Sequence, residues 1–233
     1  MHRAIVTGGT RGIGLAVAQA ILTAGGQVMV TGRSPKSVHE ALAVLSVAGG
    51  DRAAGLPVDV RDSAAVNGLV AETVRRFGGL DVVVNNAGVA AFANVEAMSD
   101  ADWNLVIDTN LTGPFFVSRA AIPALRTSGG GWIINIASLA ARNALVRGGA
   151  YCASKAALVS FSETLMQEVR YDNIRVSVVL PGSVSTEFTG PRKDDDWKLT
   201  GDDVAEVVMD LLRHPPRSLP SRVEIRPSQP KKA

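Results

Sequence analysis

Two residues four apart, Tyr151 and Lys155 in Tyr151-Cys152-Ala153-Ser154-Lys155, share one face of a helix if that segment is helical. A phenol ordinarily loses its proton near pH 10, and an ammonium beside it favours the phenolate and lowers that value. The pair therefore predicts Tyr151 as a general acid/base near neutral pH, with Lys155 tuning it. A second hydroxyl, Ser138, ends the apolar run Ile133-Ile134-Asn135-Ile136-Ala137. That places it at the carboxyl end of a strand, where open parallel sheets bind their ligands.

A second group of residues points to phosphate. Near the amino end, an apolar run enters Thr7-Gly8-Gly9-Thr10-Arg11-Gly12-Ile13-Gly14 and continues into an apolar helical pattern. A glycine turn between a strand and a helix amino terminus presents backbone N–H groups and the positive end of the helix dipole to an anion. The spacing of Gly8, Gly12 and Gly14 differs from G-x-G-x-x-G, and the Lys-Ser/Thr of a nucleoside-triphosphate loop is missing. The next strand should end beside an adenosine ribose. A carboxylate there would hold the 2′-hydroxyl of NAD; this chain instead reads Thr31-Gly32-Arg33-Ser34. Arg33 and Arg11 are suited to a 2′-phosphate, which a guanidinium fork matches, so NADP is favoured over NAD.

Regular elements must hold these groups in place. Apolar runs predict strands at 4–7, 28–31, 54–58, 81–85, 132–137, 175–180 and 222–225. Helical patterns lie between them at about 12–24, 36–47, 63–77, 99–126, 151–171 and 202–213. Most strands are continuously apolar, as in Val82-Val83-Val84, which suits strands covered by helices on both faces. The alternation predicts an α/β fold: one Rossmann-type domain with a doubly wound, parallel, seven-stranded sheet. Ser99 and Asp102 form a capping-box pattern opening the helix at Ala101. Pro123 is a candidate kink or stop in that helix. Glycines Gly25-Gly26 and Gly129-Gly130-Gly131 stand where helix ends need them. The tail from Pro227 to Ala233 reads as frayed.

Composition narrows the function classes. Lys and Arg number 24 against 22 Asp and Glu, so no net basic charge argues for nucleic acid. Cys152 is the only cysteine, which excludes a disulfide scaffold within the chain. The histidines His2, His39 and His214 are scattered and lack a thiol partner, so no metal site is expected. The uncharged stretch Gly12–Gly32 spans 21 residues, but its five glycines and its Gln and Thr residues read as helix, turn and strand, not a membrane span. Met1-His2-Arg3 leads directly into the first strand, so a cytoplasmic location is the default expectation.

With these motifs in order, the chain resembles the short-chain dehydrogenases/reductases over about residues 3–226, in the manner of the 3-oxoacyl-acyl-carrier-protein reductase-like members. The resemblance rests on Thr7 to Gly14, Asp59-Val60, Asn85-Asn86-Ala87-Gly88, Asp108-Thr109-Asn110-Leu111, Ser138, Tyr151 to Lys155, and Pro181-Gly182-Ser183-Val184-Ser185-Thr186. It implies hydride transfer from a nicotinamide with proton transfer by Tyr151. It implies that Lys155 also binds the nicotinamide ribose, that Ser138 bonds the substrate oxygen, and that Asn110 holds a water in a relay behind Lys155. It implies adenine recognition by Asp59 and Val60, and an adenosine side lined by Asn85, Ala87 and Gly88, with Asn86 bracing the sheet. Gly8, Thr10, Arg11, Gly12, Ile13 and Gly14 would hold the pyrophosphate region. Pro181, Gly182, Val184 and Thr186 would cover the nicotinamide. A homodimer or homotetramer, built through the two long helices, is also implied.

The chain departs from that group at its end. Where a Val-Asp-Gly-Gly segment is common, it reads Arg222-Val223-Glu224-Ile225-Arg226-Pro227. The expected activity is NADP-dependent interconversion of a carbonyl and a secondary alcohol on a small-molecule substrate. The alternative is a non-catalytic NADP sensor on the same fold; an epimerase or dehydratase would need a larger carboxyl-terminal domain. Substrate choice falls to loops 89–98, 139–150 and a lid at 183–200. Trp103, Trp132 and Trp197 read as core or interface.

Overall fold

The computed structural model describes residues 2–186 and 195–230. Seven strands form one sheet: β1 (Arg3–Val6), β2 (Gln27–Gly32), β3 (Ala53–Pro57), β4 (Val82–Asn85), β5 (Gly131–Ile136), β6 (Ile174–Pro181) and β7 (Arg222–Ile225). Their order is β3-β2-β1-β4-β5-β6-β7, and every pairing is parallel. The chain winds outward from β1 to β3, then returns to β4 beside β1. That reversal opens a crevice at the carboxyl ends of β1 and β4.

The helices divide between the two faces: α1 (Gly12–Thr23), α2 (Pro35–Gly49) and α7 (Gly201–Arg213) on one, α3 (Ser63–Phe77), α5 (Gly113–Thr127) and α6 (Gly149–Val169) on the other. Strand periodicity assigns the residues between these layers. Ala4, Val6, Val82 and Val84 pack with α1 and α7, whereas Ile5 and Val83 pack with α3, α5 and α6. Both layers are fully buried, which is why the strands carry continuous apolar runs rather than alternating ones.

The expected helix at 99–126 is two helices. α4 (Asp100–Ile107) and α5 are joined by a single π-type turn over Asp108–Thr112. Pro123 does not make the break; it lies inside α5. The cause is Pro114, four residues after Asn110. Its ring has no N–H for the Asn110 carbonyl and would clash with it, so the α-helical ladder cannot run through. The capping-box expectation also shifts. Ser99 does accept the Asp102 N–H, at 3.1 Å, but the Asp102 carboxylate takes the Ser99 hydroxyl. The reciprocal box is at α7, where Asp203 N–H donates to Thr200 Oγ1 at 3.2 Å and Thr200 N–H to Asp203 Oδ2 at 2.7 Å.

The start of the tail runs along the crevice. Gly182 N–H donates to the Ile225 carbonyl at 2.8 Å, and Arg226, Pro227 and Pro230 border the crevice. Of the expected lid, Phe188, Pro191, Arg192, Lys193 and Asp194 lie outside the described residues. Its two ends pair, Ser185 N–H to Leu199 O at 2.7 Å and Leu199 N–H to Ser183 O at 3.0 Å. No helix among the described residues is long and apolar enough to cross a membrane. Among those residues no group of three or more His, Cys, Asp or Glu could hold a metal ion.

Candidate active site

A cleft of about 740 Å³ runs along the carboxyl edge of the sheet, from the β2 end past β1 and β4 to β5 and β6. That volume is in the range of small-molecule sites. Its first part is the glycine loop after β1. Buried Thr7 anchors the loop: its hydroxyl accepts the N–H groups of Asn86 and Ala87 at 3.0 and 3.1 Å. The Asn86 amide donates back to the Thr7 and Gly8 carbonyls, each at 3.0 Å. Gly8 has φ +61°, and a Cβ there would lie 2.9 Å from Ala87 Cα. Only glycine suits both the conformation and the space. Arg11 is the N-cap of α1, and no acidic residue lies in the first turn. A guanidinium has no acceptor to offer the first-turn N–H groups, so the helix presents donors and its positive end to the cleft. Gly8, Thr10, Arg11, Gly12 and Ile13 all line it. Gly14 lies behind them, close against the Gly8 carbonyl and the Asn86 amide.

The next part is formed by the ends of β2 and β3. Arg33, Asp59 and Val60 line it, and no carboxylate ends β2. Asp59 is not the cap of α3. Asp62 takes that role, accepting from Ala64 and Ala65 N–H at 2.8 and 3.1 Å. The Asp59 carboxylate is gripped by the Arg61 guanidinium, with a contact of 2.6 Å. This hydrogen bond, with smaller contributions from the backbone of Arg61 and the charge of Arg33, holds Asp59 below the usual carboxylate value.

At the reacting end, β5 delivers Ser138 and α6 delivers Tyr151 and Lys155. The Ser138 hydroxyl accepts the Ala140 N–H at 3.1 Å and is hydrogen-bonded to the Tyr151 phenol. Lys155 is buried and donates from Nζ to the Ile136 carbonyl at 2.8 Å. Nζ lies 5.8 Å from the centre of the Tyr151 ring. The expected lowering of Tyr151 is not present in the protein alone. Burial pushes the phenol up, and the Ser138 hydrogen bond opposes it only in part. Burial also pulls Lys155 down, to about 8. Lys155 still carries its charge at neutral pH, but it is not among the groups that shift the phenol. Pro181, Gly182, Val184 and Thr186 close this end.

One expected residue stands elsewhere, and another is held by bonds within the protein. Asn85 does not line the adenosine side. It is buried within the sheet, donating to Asn135 Oδ1 at 2.8 Å and to Ser118 Oγ at 3.3 Å, because it shares the inward face of β4 with Val83. Asn86, read as the sheet residue, lines the cleft, as do Ala87 and Gly88. Asn110 is fully buried behind the cleft. Its amide accepts Val89 N–H at 2.8 Å and donates to Val89 O at 2.9 Å and to Ser154 Oγ at 3.0 Å. These bonds use the side chain to clamp the loop after β4 onto α6. Phe92, Leu145 and Trp197 lie in the three loops expected to choose the substrate, although the first two were not singled out and Trp197 was also read as core or interface; Arg226, Pro227 and Pro230 were not expected; all line the cleft. Apolar residues within loops between regular elements were the available signal.

The residues present fit a dinucleotide: a backbone cradle only glycine can form, uncapped helix donors, and hydroxyls at the far end. Fold and site together define an α/β dinucleotide-binding oxidoreductase. The family model for short chain dehydrogenase matches residues 2–197, and the chain belongs to that family. It is 35% identical over 192 residues to the 3-oxoacyl-[acyl-carrier-protein] reductase of Haemophilus influenzae, covering 82% of this chain and 78% of that protein. It is 39% identical over 203 residues to the D-threitol dehydrogenase of Mycolicibacterium smegmatis, covering 84% and 77%. An alcohol dehydrogenase from the archaeon Thermococcus sibiricus, complexed with 5-hydroxy-NADP, superposes with a TM-score of 0.89 at 28% identity over 98% of each chain.

Proposed function

We propose that the protein interconverts a ketone or aldehyde and the corresponding alcohol, with NADP as the redox partner. The observation that carries this reading is the Ser138–Tyr151 hydroxyl pair at one end of a cleft whose other end is the glycine loop. The first-turn N–H groups of α1 would hold the pyrophosphate, Arg33 and Arg11 the 2′-phosphate, Asp59 and Val60 the adenine, and Lys155 the nicotinamide ribose. NADPH held there would supply the hydride that forms the new C–H bond of the alcohol. Ser138 orients the carbonyl oxygen by hydrogen bonding. Tyr151 passes its phenolic proton to that oxygen as the C=O π bond opens, and recovers one from water afterwards. In oxidation the same phenolate takes the alcohol proton. Asn110 holds the wall of the cleft next to Lys155.

The cytoplasm, where reduced nicotinamide dinucleotides are supplied, fits that chemistry. Phe115 on α5 is exposed and meets Phe161 of α6 at 6.3 Å between ring centres, which supports assembly through these helices as a homodimer or homotetramer. The test is oxidation of NADPH and NADH against a panel of ketones and aldehydes, beside a measurement of NADPH affinity. Turnover that depends on Tyr151 and prefers NADPH is expected. Tight NADPH binding with no turnover on any carbonyl would overturn the reading in favour of a sensor.

A further inference from the structure

The reacting end of the cleft is lined differently from the cofactor end. Phe92 and Leu145 are 46% and 45% exposed, yet both face the cleft. Their loops are fastened to each other. Ala93 N–H donates to Arg147 O at 2.9 Å, and the Arg147 guanidinium donates to the Phe92 carbonyl at 3.2 Å. Arg147 holds φ +65° to do this, a conformation disfavoured for a side chain of its size. Gly148 N–H closes the turn onto Leu145 O at 2.9 Å. The result sets two apolar side chains beside the acid/base, with the Phe92 ring centre 6.3 Å from that of Tyr151.

Trp197, Pro227 and Pro230 also border the cleft, and Pro227 Cδ would lie 3.1 Å from a Cβ built on Gly182. Apart from Lys155, which the nicotinamide ribose would occupy, the two cations among the described residues that border this region are already answered by carboxylates. Lys198 meets Asp195 at 2.6 Å. Arg226 meets Glu224 at 2.7 Å, and Glu224 is also held by Arg142 at 2.6 Å. Arg142 itself lies outside the cleft lining. Among the described residues, hydrophobic walls with paired charges favour a ligand that is apolar and neutral, because a carboxylate or phosphate seated there would be desolvated with no cation but Lys155 left to answer it.

The geometry points to a neutral ketone, or the matching secondary alcohol, bearing an aryl or branched alkyl group that sits between Phe92 and Leu145, with the carboxyl-terminal prolines as a further wall. This rests on the carbonyl-reducing reading above and narrows its substrate class. The experiment measures kcat/KM with NADPH for acetophenone, dihydroxyacetone and acetoacetate, which differ in apolar area and charge. Acetophenone is expected to exceed each of the others by about 100-fold. In Phe92→Ser and Leu145→Ser, the acetophenone-to-dihydroxyacetone ratio should fall by about tenfold or more, mainly through KM. Both side chains are exposed, so neither variant threatens the fold, and each checks the other. Faster turnover of dihydroxyacetone or acetoacetate overturns this inference and leaves the carbonyl-reducing reading intact. A ratio unchanged in both variants also overturns it. No turnover of any of the three, with NADPH bound, sinks the reading beneath it as well.

Discussion

The Lys155 ammonium donates to the Ile136 carbonyl at 2.8 Å, tying the second turn of α6 to the last residue of β5. Two residues beyond Ile136 stands Ser138, and one turn before Lys155 stands Tyr151. A single buried bond thus fixes the distance between the two elements that carry the hydroxyl pair. The ammonium has few other ways to recover what it loses on leaving water, and its pKa falls to about 8.

That burial sets a dependence of stability on pH. The folded value of about 8 lies below the ordinary 10.5, so between those limits the unfolded chain binds more protons and stability rises with pH. Below pH 8 both states are charged and the folded protein carries the full cost, about 3 kcal/mol at about 1.4 kcal/mol per unit. Melting curves of the protein without cofactor should show Tm rising between pH 8 and 10 relative to Lys155→Met. Parallel curves for the two proteins would refute the buried, charged lysine.

Tyr151→Phe removes the proton carrier and leaves the ring. Turnover should fall by about a thousandfold or more, while NADPH affinity changes by about threefold or less, since the hydroxyl meets Ser138. The phenol is raised by burial in the protein alone, so its phenolate absorbance should titrate above the ordinary value. An oxidised nicotinamide brings a positive charge to this end, which should pull that titration down. Oxidation of an alcohol needs the phenolate and should accelerate with pH to a plateau, reached earlier than the titration without cofactor implies. Retained activity in the phenylalanine variant would show that another group moves the proton.

Much of this was legible in the chain. Apolar runs such as Val82-Val83-Val84 suit strands covered on both faces, and their alternation with helical patterns led to the parallel sheet. The glycine loop and Tyr151-x-x-x-Lys155 carry their chemistry in their spacing. What stayed hidden depends on distance. Asn85 and Asn86 are neighbours of one type, and which faces the cleft is decided by strand parity and by the partners Asn135 and Ser118 from distant segments. The tyrosine shift was misread because proximity to Lys155 is visible in sequence and burial is not. The carboxyl-terminal wall looked like a tail because prolines and basic residues usually end chains; only the parallel pairing of β7 with β6 brings Arg226 and Pro227 to the cleft. The helix break was available at Pro114, not at Pro123.

Arg33→Asp tests the preference between dinucleotides. A carboxylate there would accept from a ribose 2′-hydroxyl and repel a 2′-phosphate. Losing one charge-assisted contact and adding repulsion should lower the NADPH-to-NADH ratio of kcat/KM by about 100-fold. Arg33 contributes only a minor part of the pull on Asp59, after the Arg61 bond, so adenine recognition should survive and NADH should be used at least as well as before. An unchanged ratio would remove Arg33 from the 2′-phosphate site.

Asn110 is the last group whose role can be read from its bonds. Its amide satisfies both backbone groups of Val89 and reaches Ser154 on α6. A Cβ on neighbouring Gly88 would lie 3.3 Å from Asn110 Oδ1 and 3.7 Å from Lys155 Nζ, so clamp, loop and lysine are packed together with no slack. Asn110→Ala leaves the Val89 N–H and carbonyl without partners and should cost about 1–3 kcal/mol of stability. Asn110→Asp can still accept from Val89 N–H but cannot donate to its carbonyl, so it should fall between the wild type and alanine in Tm. If the clamp serves the site as well as the fold, turnover of Asn110→Asp at a temperature where it is fully folded should drop with little change in NADPH affinity. Full activity in that folded variant would confine Asn110 to a structural role.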